Sequence, residues 1–318
     1  MQVKWHGLLS TKRHLPGSGA QGSYIGNWEY ISQTNHNADC VPPDHRWKWC
    51  DDLSPLEIIN LLTAGISSYN FKQHVASDIG THGQYIPADF LRTQQYINTI
   101  DQWSDNQKMI LSQKKTKIML INFTKNYQFS TRLQLKNNNL EIVRETKILG
   151  MILTDDLKWD ANCSYLIKKF YARMQLLLKV ASFGTDEKEL KLIYTTFCRG
   201  LLEQCCEVWS SSLTQDNKND LERCQMSAMK IICKNYTSYS DSLRQLDLED
   251  LETRRLKLLS RFQAKSMQHE KMKMFFKINE NMHNTRNKEK YKVIKANTKR
   301  FQNSTILQIQ NIANTTSE

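Results

Sequence analysis

No stretch of the 318 residues approaches the roughly 18 uninterrupted apolar residues that read as a membrane-spanning helix. The opening MQVKWHGLLSTKRHLPG lacks the apolar core of a secretory signal peptide. These two absences set the expectation of an intracellular, unsecreted protein with no membrane partner, in nucleus or cytoplasm alike. Without export the eight cysteines are expected as reduced thiols. Five of them, Cys198, Cys205, Cys206, Cys224 and Cys233, fall in segments of helical pattern, where a thiol serves as a small buried side chain.

A zinc site lacks its first ligand. Cys40, His45 and Cys50 follow the C-x4-H-x4-C spacing of the last three ligands of a zinc knuckle, but Asn37 stands where the first should be. A structural zinc site closes only with four ligands, so no structural zinc is expected. Acidic residues are scarce toward the end of the chain. From Arg261 to Glu318 there are twelve Lys and Arg against four Glu and no Asp, which carries +8 of the whole chain's +12. Such an excess favours an anionic partner, either nucleic acid or an acidic membrane surface.

What is present is enough to fold. Hydrophobic residues make up 40% of the chain and aromatic residues 9%, sufficient for a packed core. Glycines and Pro16 make Thr11 to Asn27 a loop, and ADCVPPDH is a turn because two adjacent prolines stop regular structure. Next, RWKWC alternates as a half-buried strand from Arg46 to Cys50. It ends at Asp51-Asp52, and Ser54-Pro55 suits the N-cap and first turn of a helix through Glu57, Ile58, Leu61 and Leu62. A helix around Leu91 to Trp103 precedes strands at Ile118–Phe123, Arg132–Leu135 and Thr146–Leu153.

After Trp159 the period becomes helical. Asp160 is placed to cap a helix with the face Cys163, Leu166, Phe170, Met174 and Leu177. Asp186 begins a second, with Leu190, Ile193, Phe197, Leu201, Cys205 and Val208 facing inward. Thr214 caps a third, with Leu221, Cys224, Ala228 and Ile231 inside, and a fourth runs from Asp250 to Met267. The expected fold class is α+β: residues 1–125 and 126–159 mixed, 160–260 a helical bundle, and 261–318 a basic tail. For that tail both disorder and nucleic-acid binding remain open.

Two motifs invite catalytic readings. Gly17, Gly19 and Gly22 spell G-x-G-x-x-G, but STKRHLP precedes them where a dinucleotide site needs a hydrophobic strand. The paired acids Asp51-Asp52 in WKWCDDL have a counterpart in Asp155-Asp156 of MILTDDL, and spacing alone does not choose between them. Neighbouring side chains on a strand point to opposite faces, so both carboxylates reach one ion only at a bend.

The order of motifs does choose. LPGSGAQGS, then WCDDL, then LSQKKTKIML, then TKILGMIL resembles the successive palm motifs of reverse transcriptases of non-long-terminal-repeat retrotransposons, over roughly Leu15 to Lys234. The family's usual proline before Gln-Gly is Ala20 here. The resemblance implies a partial polymerase palm followed by a helical thumb, and RNA-directed DNA polymerase chemistry on an RNA template, a DNA primer and deoxynucleoside triphosphates. It assigns Asp51 and Asp52 as catalytic ligands of two magnesium ions. Gln21 and Gly22 then lie against the templating base and incoming nucleotide, with Lys115 and Thr116 near the triphosphate. Leu149 and Gly150 form a hairpin gripping the primer end, and Asp155-Asp156 is left as a solvated turn or cap.

A third family aspartate lies upstream of the glycine loop, and Met1 to His14 contains no acid. Two carboxylates hold a two-metal site poorly. The expectation is therefore the carboxy-terminal half of a polymerase, inactive alone. Its rival is a non-catalytic nucleic-acid-binding protein built from thumb and basic tail.

Overall fold

The computed structural model describes residues 4–5, 8–9, 46–49, 52–55, 88–108, 110–121, 133–270, 272–279 and 290–315. The chain divides into two compact units, Met1–Val143 and Arg144–Glu318. Both combine helices with short strands, an α+β arrangement in general terms. Among the described residues no helix is long and apolar enough to cross a membrane.

In the first unit, β1 (Lys4–Trp5) pairs with β2 (Leu8–Leu9), and β3 (Arg46–Trp49) pairs antiparallel with β4 (Asp52–Pro55). Ser54 and Pro55 thus finish a strand instead of opening a helix. Proline closes a strand as readily as it opens a helix, since both positions dispense with its missing N–H. Helix α1 (Ala88–Asn106) encloses the expected 91–103 segment. Among its described residues the apolar run after it forms only β5 (Lys117–Ile118), parallel to β8 (Glu141–Ile142), while β6 (Gln134–Leu135) turns back on β7 (Asn138–Asn139). Gln94 of α1 holds β6 through its amide: Nε2 donates to Gln134 O at 2.9 Å and Oε1 accepts from Gln134 N at 2.8 Å. Leu133, Leu135 and Leu140 are buried there with Ile97, Leu111 and Ile118 packed against them.

The second unit opens with β9 (Glu145–Ile148) and β10 (Met151–Thr154), an antiparallel hairpin that interrupts the Thr146–Leu153 strand read from the residue pattern at Leu149-Gly150, where the motif resemblance had implied a hairpin. A helical bundle follows. Helix α2 (Asp160–Ser182) buries Cys163, Leu166, Phe170, Met174 and Leu177, the expected stripe. Its N-cap is Trp159, though, and Asp160 instead accepts a hydrogen bond from Asn217 Nδ2 at 2.6 Å. Asp186 does cap α3 (Glu187–Ile193), accepting from Glu189 N at 2.8 Å.

Between Tyr194 and Cys198 the helix widens to a π turn before α4 (Arg199–Glu203) and α5 (Cys206–Trp209). The wide turn puts an extra residue in the spiral, so the inward face advances by four each time. Leu190, Tyr194, Cys198, Leu202 and Cys206 are buried, with Trp209 three residues further on. Phe197 and Val208, expected inside, lie 40% and 45% exposed.

Thr214 caps α6 (Gln215–Ile232), whose Leu221, Cys224 and Ala228 are buried, joined by Ile232 instead of Ile231. Ser238 caps α7 (Tyr239–Gln245), and Asp250 caps α8 (Leu251–Gln268). Cys163, Cys198, Cys206, Cys224 and Cys233 are free and buried, while Cys205 is half-buried. Burial pushes the thiols of Cys163, Cys206 and Cys224 up to about 12, so these are packing groups and not nucleophiles.

The stretch read as a basic tail folds over 290–315 into an extended segment, α9 (Lys299–Gln302) and α10 (Thr305–Thr315). Ile309 and Ala313 of α10 are buried in a second cluster with Leu259 of α8, Phe276 and Tyr291.

Candidate nucleic-acid interface

The residues singled out for catalysis occupy different places. Gln21, Gly22 and Asp51 lie outside the described residues, as do Cys40, His45, Cys50 and the helix expected from Glu57. Asp52 is the first residue of β4, directly opposite Trp49, so Cys50 and Asp51 are the two residues between the strands. Lys115 and Thr116 lie in a turn closed on Ser112, whose carbonyl accepts from both of their backbone N–H groups and from the Thr116 hydroxyl at 2.9 Å. The Lys115 side chain is exposed. Among the described residues no three or more His, Cys, Asp and Glu side chains gather where a metal ion could be held.

Leu149 and Gly150 form the tip of the β9–β10 hairpin, with φ of 49° and 86°. A two-residue turn with both positions left-handed matches the twist of paired strands, which is why the chain reverses at Leu-Gly. Gly150 is free to adopt that conformation, whereas a branched-chain residue such as Leu149 is strained in it. The tip is held from the bundle: Gln204 Nε2 donates to Leu149 O at 3.2 Å, and a Cβ on Gly150 would come within 2.3 Å of the same nitrogen. Gln204 is itself fixed, its carbonyl accepting from Trp209 Nε1 at 2.9 Å. At the hairpin's base, the buried Asn162 of α2 accepts from Ile152 N at 3.0 Å.

Beside this hairpin α2 presents Tyr165, Lys169 and Arg173, spaced four apart and therefore in one row. Lys147 of β9 and Lys169 place their ammonium groups 5.2 and 4.8 Å from the centre of the Tyr165 ring. Donors from Lys147 first and Lys169 next, near the phenol oxygen, hold the Tyr165 phenol below its ordinary value. Further along the row the Arg173 guanidinium lies 4.4 Å from the centre of Phe197 and donates to the Phe197 carbonyl. The π turn is what brings Phe197 outward to meet it. Among the described residues no carboxylate pairs with Lys147, Lys169 or Arg173. Three uncompensated cations on aromatic faces, beside a fixed hairpin, suit phosphates and bases together.

Asp156 forms the turn between hairpin and bundle. Its Oδ1 accepts from Lys158 N at 3.0 Å and from the Thr154 hydroxyl at 2.8 Å. The Lys158 backbone N–H is the main cause holding its carboxyl down at about 2, against an ordinary 3.8. A depressed folded value stabilises the protein above the unfolded value, and that contribution disappears as the pH falls from about 4 toward 2. The side chain is 45% exposed, so screening reduces the effect to less than about 1 kcal/mol. Asp156→Asn keeps the acceptor but not the charge. Its urea midpoint should approach the unsubstituted chain's as the pH drops, and a constant gap between pH 5 and 2.5 would refute this account.

Lys147, Tyr165, Lys169, Arg173 and Gln204 had no place in the sequence reading. The row on α2 was visible as a four-residue spacing flanking the apolar stripe, but nothing local revealed that Lys147 and Phe197 join it. Searches against protein-family models, curated proteins and solved structures each find no match.

Proposed function

We propose that the chain is the palm-and-thumb portion of an RNA-directed DNA polymerase of the non-long-terminal-repeat retrotransposon kind, and that its second unit grips the nucleic-acid duplex. The observation that supports this best is the fixed Leu149–Gly150 hairpin with Lys147 and Lys169 at the Tyr165 ring, and Arg173, without a carboxylate partner among the described residues, further along α2. A hairpin at Trp49–Asp52 agrees with the position expected for a metal-binding acid pair. In this reading Asp51 and Asp52 would hold magnesium, which would supply charge neutralisation at a transferring phosphoryl group and lower the pKa of a primer hydroxyl. Gln21 and Gly22 contact the template and nucleotide, and Lys115 and Thr116 meet the triphosphate. A chain with two of the family's three carboxylates binds a primer–template without extending it, and magnesium-dependent extension by this chain alone would refute that part.

The alternative, a nucleic-acid-binding protein without catalysis, draws on the same cations. Both readings are tested by measuring duplex DNA binding by fluorescence anisotropy across a salt series. Each phosphate contact contributes about −0.9 to the slope of log affinity against log salt. Lys169→Gln/Arg173→Gln should make the slope shallower by about 1.8. Between ~50 and ~200 mM salt the variant should then lose about tenfold less affinity than the unsubstituted chain. An unchanged slope would remove α2 from the interface and with it the support for a thumb.

A further inference from the structure

The C-terminal part of the second unit carries a second set of cations with a different origin. Residues 290–315 contain Lys290, Lys292, Lys295, Lys299 and Arg300, and residues 272–279 add Lys273 and Lys277; the adjoining acids Glu280 and Glu289 lie outside the described residues. Two of these segments form a short antiparallel ribbon, with Ile278 opposite Tyr291. Asn279 N donates to Lys290 O at 3.0 Å, and Lys292 N donates to Lys277 O at 2.9 Å.

Alternation along the ribbon sends residues 277, 279, 290 and 292 to one face and 278 and 291 to the other. Tyr291 is buried, edge-on to Phe276 with ring centres 5.9 Å apart, so its face turns inward there, while Ile278 on the same face is 67% exposed. Lys277, Lys290 and Lys292 are exposed. Lys277 and Lys292 are therefore cross-strand neighbours of the same charge, an arrangement that is destabilising by itself. Among the described residues no carboxylate pairs with either.

The backbone carrying them is held firmly, and by neutral groups. Asn314 of α10 accepts from Tyr291 N at 2.8 Å and donates to Tyr291 O at 3.1 Å. One turn earlier, Gln310 accepts from Ile294 N at 3.2 Å and donates to Phe275 O at 2.5 Å. Two amides four residues apart thus clasp the main chain of both segments. The inner face is satisfied without any counter-charge, and the repulsion on the outer face is left to an external anion. A rigid backbone spares the ordering cost of presenting the lysines.

We infer that this ribbon is a second phosphodiester contact, in which Lys277 and Lys292 receive a backbone phosphate of a nucleic-acid strand, while the Lys290 ammonium lies 5.5 Å from the centre of the Tyr291 ring. The inference rests on the preceding reading only for the class of partner. A lipid surface is the other anion of suitable size, but stable seating there needs apolar side chains inserted alongside the charges. Ile278 is the one exposed apolar side chain of the ribbon, and Lys277 and Lys292 present ammonium groups, the donors that phosphate oxygens accept from.

The test uses the full chain, a labelled DNA duplex of about 20 base pairs, and the substitutions Lys277→Gln/Lys292→Gln. The expected result is a salt slope shallower by about 1.8, while Lys277→Arg/Lys292→Arg keeps the original slope. Thermal unfolding of the Gln variant should be unchanged or improved, because a like-charge pair is removed. A lower unfolding temperature would make the lysines structural and overturn the inference, as would an unchanged slope. So would sedimentation with phosphatidylserine vesicles that depends on these lysines while duplex binding does not. Loss of slope in the ribbon variant but not in Lys169→Gln/Arg173→Gln would defeat the thumb reading and leave the ribbon standing; the opposite pattern would defeat the ribbon alone.

Discussion

Trp209→Ala should destabilise the chain by about 3–5 kcal/mol, read as a large drop in the urea midpoint. The indole is fully buried in the main core of the second unit. Its removal deletes a large apolar surface and leaves a cavity that the surrounding helices fill only in part. It also deletes the donor to the Gln204 carbonyl, at the point where α4 ends and Cys205 takes a left-handed φ of 51°. Trp209→Phe separates the two losses, since it keeps much of the volume and removes the hydrogen bond. It should cost about 1–3 kcal/mol, the penalty of an unpaired buried acceptor plus a smaller void. A loss under about 1.5 kcal/mol for the alanine variant would contradict the packing described.

The consequence extends to the interface. Gln204 connects Trp209 to the hairpin tip, accepting with its carbonyl and donating with its side chain to Leu149 O. The strained Leu149 is kept in place by that side chain and by the paired strands. Phosphate contacts gain from such fixing because the position of the cations is set before the ligand arrives.

Much of the bundle was legible in the sequence, because its signals are local. The stripe on α2 follows from apolar residues three and four apart, and Asp186, Thr214 and Asp250 cap helices through their own side chains. The failures have distant causes. Asp160 has the right chemistry for a cap, but Asn217, 57 residues away, takes its carboxylate. Ile118–Phe123 has strand composition, yet β8 offers only Glu141 and Ile142 as partners. The stretch read as a basic tail was dominated by its charge count, which obscured Ile309 and Ala313, four apart on one face of α10. For the candidate site, motif order pointed to the Leu149-Gly150 turn, whereas Ser54-Pro55, read as a helix start, hid the return strand β4 opposite Trp49. The cations around Tyr165 and Phe197 depend on β9 meeting α2 and on a π turn, neither of which has a local signature.

That π turn rests on a buried polar chain, and its central member supports a further large effect. Gln225 is fully buried on α6. Its Oε1 accepts from the Tyr194 hydroxyl at 2.6 Å, and its Nε2 donates to Tyr239 Oη at 2.8 Å and to Glu249 O at 2.9 Å. Tyr239 in turn donates to Glu222, which also accepts from Leu251 N at 3.2 Å. Burial, more than any neighbouring charge, pushes both phenols up, so they remain protonated donors. Gln225→Leu keeps the volume but leaves the Tyr194 hydroxyl and the Glu249 carbonyl without partners, each costing about 1–3 kcal/mol. The expected total is about 3 kcal/mol of stability at neutral pH. Tyr194→Phe added to Gln225→Leu should recover part of it, because removing both partners of a buried hydrogen bond is far cheaper than removing one. Urea unfolding of the two single variants and the double variant measures this directly. If Gln225→Leu stays within about 0.5 kcal/mol of the unsubstituted chain, or if Tyr194→Phe adds a full further loss, the Tyr194–Gln225 bond does not hold the π turn. The outward placing of Phe197 against Arg173 would then need another cause.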